Sequence, residues 1–271
     1  MIKTRANLTL SDSDYVAFKT LVFKEIGIDL GDNKQSLVQT RLLKRVMHYA
    51  LDSYADYLEL VKKDNVEKNE MMNLITTNET YFFREQAHFD FLEKELKAYE
   101  GREKFRIWSA AASLGAEAYS IAMLCDSHLA KQKWEIVGTD INSDVIKKAR
   151  MGLYPEKWVD KIPLSLRKKY CLKGKGKFEG QFLVERSLSK NMHFSVNNLM
   201  LKNREIGQFK MIFLRNVLIY FDAPTKKKVV ENVMHNLEVG GYLIISLTES
   251  LQNIDVKNLK QLKSSIYQKI A

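Results

Sequence analysis

From residue 105 onward, short apolar runs alternate with helix-forming stretches, and that alternation leaves few folds open. Residues 105–111, 134–140, 192–196, 210–214 and 242–246 read as strands. Residues 116–130 and 143–151 read as helices between them, the second capped by Asn142 or Ser143, and a third helix opens at Pro224, runs to Leu237 and is closed by Gly240-Gly241. Strands joined through helices cannot pair as hairpins. They form a parallel, doubly wound sheet of the α/β class. Residues 265–269 are expected to add a last, antiparallel strand. Ligands of such sheets are met beyond the carboxyl ends of the strands. The apolar run Met211–Leu214 breaks at that point into the polar pair Arg215-Asn216.

Residues 11–75 read instead as helices, the first capped by Ser11 and Asp12, the second over about residues 33–50, the third behind Ser53 and the fourth from about Val66 to Ile75. Gly27 and Gly31 punctuate them. On the second helix Lys34, Arg41, Arg45 and His48 share one face, with Lys44 nearby, and Leu42, Leu43, Val46, Met47 and Ala50 take the other. That helix carries no acidic residue to balance its basic face, which is expected to dock something acidic; the plainer reading is a solvated face. Residues 171–190 interrupt the later alternation with turn signals, Lys173-Gly-Lys-Gly-Lys and Glu179-Gly180, around short β-prone runs. They read as a small β-excursion.

With 271 residues the chain can hold one or two domains, and 3 prolines and 12 glycines leave little room for a disordered linker. Cys125 and Cys171 lack the spacing of a metal or redox motif, so no disulfide scaffold and no metal site is expected. No apolar run is long enough to span a bilayer, and Met1-Ile-Lys-Thr-Arg runs into polar residues rather than a leader core. A cytoplasmic location is the expectation. The net charge of +10 favours an acidic partner, whether nucleic acid, anionic membrane surface or acidic protein, or serves only to keep the chain dissolved.

A nucleotide-type cofactor needs a tight turn from the first strand into a helix, and an acid at the end of the second strand for the ribose hydroxyls. Here the turn is Ser113-Leu-Gly-Ala-Glu117 and the acid is Asp140. One glycine suits a pyrophosphate poorly. S-adenosylmethionine, which has none, is favoured over a nicotinamide dinucleotide. The plainer reading of Asp140 is a helix cap.

Several segments, in order, resemble the chemotaxis receptor glutamate O-methyltransferases, the CheR-type family. They are Asn78-Glu-Thr-Tyr-Phe-Phe-Arg84, the run from Arg106 through Glu117 to Met123, Asp140 with Lys148–Tyr154, Asn198-Leu199, Arg215–Asp222 and Thr248-Glu-Ser-Leu. The resemblance covers about residues 12–270. It implies a Rossmann-like S-adenosylmethionine-dependent methyltransferase fold over residues 105–271, with the β-subdomain at 171–190. It also implies an all-helical domain over 1–76 and a cofactor-contacting linker over 77–104. It implies S-adenosylmethionine as donor, S-adenosylhomocysteine as product, and a chemoreceptor glutamate as acceptor. Cofactor contacts carry over to Asn78, Thr80, Arg84, Glu117, Asp140, Asn198, Leu199, Arg215 and Asn216, and the catalytic positions to Arg84 and Tyr220. Lys34, Arg41, Lys44, Arg45 and His48 become the docking face for the receptor's acidic helices. The β-subdomain becomes a grip for a receptor's C-terminal peptide; nucleic acid and membrane insertion are not expected. Phe82 and Phe83 are expected in the core whatever their motif.

The family usually writes Ser-Thr-Gly-Glu-Glu-Pro-Tyr where this chain has Ser113-Leu-Gly-Ala-Glu-Ala-Tyr119, and Gly-His is lost before residue 248. A member that binds cofactor but transfers weakly, acting as a regulatory binding protein, is one alternative. An RNA methyltransferase is the other, though no Asn-Pro-Pro-Tyr-type segment follows the fourth strand.

Overall fold

The computed structural model describes residues 8–130 and 133–271; the opening residues Met1–Arg5 lie outside them. By its internal contacts the chain divides into two units, one of residues up to Thr77 together with Tyr220–Asp222, the other of residues 78–219 and 223–271.

The first unit holds α1 (Asp12–Ile26), α2 (Gln35–His48), α3 (Tyr54–Lys63) and α4 (Asn65–Ile75). Side-chain oxygens start three of them: Ser11 accepts from Asp14 N, Ser53 from Asp56 N, and Asp64 from Val66 N and Glu67 N. Gly27 ends α1 at φ 74°, a left-handed conformation that glycine adopts without a Cβ penalty. Phe18, Val22, Leu42, Val46, Tyr57, Val61 and Met71 fill the core between the helices.

α2 has no acid of its own, but an acid from another helix pairs with part of its basic face. Arg45 donates Nε to Glu67 Oε1 at 2.8 Å and pairs its second nitrogen with Oε2. Tyr57 and Tyr49 donate their hydroxyls to the same carboxylate at 2.6 and 2.9 Å. Arg41 reaches the carbonyls of Ile75 and Thr76, which close α4. Lys44 and His48 remain exposed.

The second unit begins with α5 (Gln86–Lys97), a helix within the stretch read as linker. It buries His88, Phe89, Leu92 and Leu96 along one face. Then follow β1 (Phe105–Ala110), α6 (Ala116–His128), β2 (Trp134–Asp140), α7 (Ser143–Met151), β3 (Leu153–Pro155), α8 (Leu164–Tyr170), β4 (Cys171–Lys173), β5 (Gln181–Val184), α9 (Arg186–Ser189), β6 (Met192–Val196), β7 (Phe209–Leu214), α10 (Ala223–Met234), β8 (Leu237–Ile244), β9 (Leu259–Lys263) and β10 (Ile266–Lys269). The main sheet has the order β6-β2-β1-β7-β8-β10-β9. β1 pairs in parallel with both β2 and β7, while β10 runs antiparallel to β8 and β9. The chain leaves β1 in one direction for β2 and β6, and resumes on its other side at β7. The crevice at β1 and β7 is therefore the topological switch point.

Two sequence readings shift. Gly240-Gly241 do not end a helix but lie inside β8, which starts at Leu237. A Cβ on Gly241 would stand 2.9 Å from the carbonyls of Glu238 and Lys210, so glycine lets the strand kink against β7. The β-excursion is a three-stranded sheet of order β3-β5-β4, and so begins at Leu153 rather than 171. Among the described residues no helix is long and apolar enough to cross a membrane, and no cluster of metal-ligating side chains occurs.

Candidate active site

The carboxyl ends of β1, β2, β7 and β8 gather one polar network. β2 delivers Asp140, 7% exposed, whose Oδ2 accepts the backbone N–H of Ser113 at 2.9 Å and whose Oδ1 accepts that of Asn142 at 2.9 Å. Asp140 is thus not the cap of α7; Asn142 is, accepting from Asp144 N and Val145 N. Burial pushes the Asp140 carboxyl up, against the backbone N–H groups that pull it down.

Glu117, in the first turn of α6, accepts from Ser109 Oγ at 2.7 Å and from Arg215 Nη1 at 2.8 Å. Arg215 leaves the end of β7 almost wholly buried. Its other terminal nitrogen binds the Arg84 carbonyl and lies 3.2 Å from Glu85 Oε2. Asn216 follows at φ 57° and donates Nδ2 to Ser246 Oγ at 2.8 Å.

The segment 78–85 is pinned across this end of the sheet. Ser113 Oγ donates to the Asn78 carbonyl at 2.9 Å, Phe83 N to Ser120 Oγ at 3.0 Å, and Phe82 is buried against Tyr154 and Phe182. Arg84 itself is half-buried, its guanidinium 5.5 Å from the Tyr81 ring centroid. Among the described residues, five of the seven non-glycine residues with positive φ, Phe83, Glu85, Ala111, Ser113 and Asn216, lie in these loops. Backbone strain of this kind persists where surrounding bonds over-determine it, and it clusters at functional sites.

Two acids that the sequence reading missed hold the loops together. Glu85 accepts from Ser246 Oγ at 2.6 Å and Leu247 N at 3.0 Å. Glu249 accepts backbone N–H groups of Ser246 at 2.9 Å, Asn216 at 3.2 Å and Ile219 at 3.3 Å, and of Leu218. Only the position of Glu249, inside the Thr248-Glu-Ser-Leu segment, gave a signal.

Thr80 is half-buried on the same segment. Asn198 accepts from Met200 N at 3.0 Å, and the Leu199 carbonyl accepts from Asn232 at 3.0 Å, in the loop after β6. Tyr220 groups with the helical unit: its carbonyl accepts from Asp29 N at 2.8 Å, and Lys34 Nζ lies 5.7 Å from its ring centroid.

The all-α domain of the CheR methyltransferases matches residues 13–76, and their SAM binding domain matches residues 78–267. The chain belongs to the CheR methyltransferase family. It is similar to the chemotaxis protein methyltransferase of Salmonella typhimurium, with 33% identity over 94% of this chain and 89% of that protein. The one from Borreliella burgdorferi is 31% identical over 98% of each chain. Chemotaxis protein methyltransferase 2 of Pseudomonas aeruginosa is 34% identical over 88% of this chain and 86% of its own.

S-adenosylmethionine is the cofactor of this CheR family domain. The residues present fit it. A carboxylate has about four lone-pair sites, so Asp140 keeps capacity for a hydroxyl beside its backbone bonds. Arg215 Nε is buried with no partner among the described residues, a donor left for an acceptor that a ligand would bring. Glu117 presents a carboxylate at the start of α6, already accepting from Ser109 Oγ and Arg215 Nη1. Ala116 and Ala118, where this chain departs from the CheR pattern, are fully buried within α6. Side chains there pack, and Glu117 carries the loop's charge.

Proposed function

We propose that this chain transfers the methyl group of S-adenosylmethionine to glutamate side chains of methyl-accepting chemotaxis receptors, in the cytoplasm. The observation that carries this reading is the similarity to chemotaxis protein methyltransferases across both units, 94% of the chain in the Salmonella case. Asp140 is assigned to the ribose hydroxyls, Glu117 and Arg215 to the amino-acid end of the cofactor, with Asn78, Thr80, Arg84, Asn198, Leu199 and Asn216 around it. The donor, when bound, supplies an electrophilic methyl group, and S-adenosylhomocysteine is the product.

A glutamate carboxylate ionises near pH 4.3 and is already anionic at neutral pH, so the acceptor needs no base. The site agrees with that demand. Its one buried histidine among the described residues, His88, is pushed down to about 4 by burial and the nearby Arg215, and is held as neutral imidazole with Nε2 2.7 Å from Ser265 Oγ. The work of the chain is orientation and exclusion of water. Arg84 is assigned to the incoming carboxylate or the acidic end of the donor, and Tyr220 to the path of the methyl group.

Docking is assigned to two surfaces. Residues 1–77 hold eleven basic and eleven acidic side chains, so the whole excess of +10 falls on residues 78–271. Within 153–190 there are ten lysines and arginines against four carboxylates. The small sheet, with β3 and β4 as its outer strands, is a cationic surface on which an acidic receptor tail can add a strand. On α2 the exposed Lys44 and His48 face an acidic receptor helix, with Lys34 beside Tyr220. Incubation with S-adenosylmethionine and receptor-bearing membranes, followed by mass spectrometry of receptor peptides, tests the assignment: methylated glutamates are expected, and methylated RNA in their place overturns it.

A further inference from the structure

Arg215 is the only basic side chain among the described residues with ion pairs to two carboxylates of this site, and one of the two has no role in the reading above. Glu117 lies on α6 beside the cofactor loop. Glu85 comes from the opposite direction, at φ 61° immediately before α5. Its carboxylate is anchored by Ser246 Oγ at 2.6 Å and Leu247 N at 3.0 Å, in the turn after β8, and stands 3.2 Å from Arg215 Nη2. Burial pushes Glu85 up, but Ser246, Leu247 and Arg215 outweigh it and leave it lowered, hence ionised at neutral pH.

One turn further on, a buried histidine joins the start of α5 to the neighbouring strand. His88 is 1% exposed, with Nδ1 3.4 Å from Glu85 Oε2 and Nε2 2.7 Å from Ser265 Oγ. The Ser265 carbonyl in turn accepts from Ile245 N at 3.0 Å, so His88 ties the start of α5 to the end of β8.

A guanidinium held by one carboxylate can swing about that contact. One held at both terminal nitrogens cannot, since its planar fork then has two fixed prongs. Glu117 engages Nη1, Glu85 together with the Arg84 carbonyl engages Nη2, and Nε is the donor left without a partner among the described residues. We infer that Glu85 is a positioning residue for the methyl-transfer reaction: held by Ser246 Oγ and Leu247 N, it locks the Arg215 guanidinium so that its remaining donor is presented to the donor molecule. The inference rests on Arg215 being a cofactor contact.

The test is a double-mutant cycle on the full chain, with S-adenosylhomocysteine as probe in calorimetry. Glu85→Gln keeps the size but puts an amide where Arg215, Ser246 and Leu247 all donate. If Glu85 acts through Arg215, Glu85→Gln weakens binding about tenfold in the wild-type background and less than about twofold beside Arg215→Lys, the non-additivity of residues in one network. Glu85→Asp, which keeps the charge with shorter reach, recovers part of the loss; should the glutamine variant fail to fold, the aspartate variant carries the same cycle. Equal losses in both backgrounds mean that Glu85 only braces α5, and overturn the inference, as does wild-type affinity in Glu85→Gln. No receptor enters this measurement. Failure to methylate receptors would therefore count against the proposed acceptor alone, whereas a wild-type chain that does not bind the probe contradicts the cofactor assignment.

Discussion

Arg45 on α2 and Glu67 on α4 form a two-pronged ion pair, with Nε 2.8 Å from Oε1, on the face of α2 that sequence alone reads as an open cationic stripe. Glu67 is 1% exposed and also takes the hydroxyls of Tyr57 and Tyr49. The pair is therefore a brace between two helices before it is a surface for anything else.

Breaking the brace should cost stability. Glu67→Ala leaves a half-buried guanidinium and a buried tyrosine hydroxyl without their acceptor, an expected loss of about 2–4 kcal/mol. Urea unfolding should show it as a lower midpoint. Burial raises the Glu67 pKa, but the bonds from Arg45, Tyr57 and Tyr49 outweigh it and leave it lowered. A lowered carboxylate stabilises above its ordinary value of 4.5 and loses that contribution as pH falls through the folded value. The wild type should thus lose stability on acidification below about pH 4.5, and Glu67→Ala should lose less.

The docking face is better tested where side chains are free to meet a partner. Reversing Lys44 and His48 to glutamate should slow receptor methylation at low salt and leave S-adenosylhomocysteine affinity unchanged, with the wild-type rate falling as salt rises. Reversing Arg41 and Arg45 confounds docking with folding, because those side chains hold Ile75, Thr76 and Glu67. Unchanged methylation in the Lys44 and His48 reversal leaves α2 as plain surface.

Asp140→Ala removes the assigned ribose acceptor. A lost charged hydrogen-bond partner costs about 1.5–3 kcal/mol of binding, readable by calorimetry with S-adenosylhomocysteine. The variant also frees the N–H groups of Ser113 and Asn142, so circular dichroism should accompany it. A folded variant with wild-type affinity would remove Asp140 from the site.

Glu249 gathers four backbone N–H groups around Asn216, which sits at φ 57°. Glutamine offers one acceptor oxygen in place of two, so Glu249→Gln should destabilise by about 2 kcal/mol, with donors left unmet. A lower urea midpoint with an unchanged slope is the expected record; no shift in midpoint would mean the loop is held by other contacts.

The elements whose periodicity is strong were legible. Trp134–Asp140, Ser143–Met151 and Met192–Val196 lie where their patterns put them. β9, with two lysines, a glutamine and mostly exposed residues, has too little apolar content to announce itself. β3 is three residues long, below what alternation can reveal, so the small sheet was read from its later strands alone. Gly240-Gly241 read as a helix end because glycine marks a cap and a strand kink alike. At the site, Arg215, Glu117 and Asp140 were visible as motif residues. Glu85 and Glu249 act through partners 130 and 33 residues away in sequence at Arg215 and Asn216, and nothing local encodes such pairings. The same blindness hid Glu67 from Arg45.

The most direct measurement is transfer of label from methyl-tritiated S-adenosylmethionine to membranes carrying the cognate receptors, with the product then treated with mild alkali. Glutamyl methyl esters hydrolyse and release volatile methanol, whereas methylated bases and amines do not. The account predicts label in the receptor band that alkali releases as methanol, and none in added RNA. Alkali-stable label, label in RNA, or no transfer by a chain that binds S-adenosylhomocysteine would contradict it.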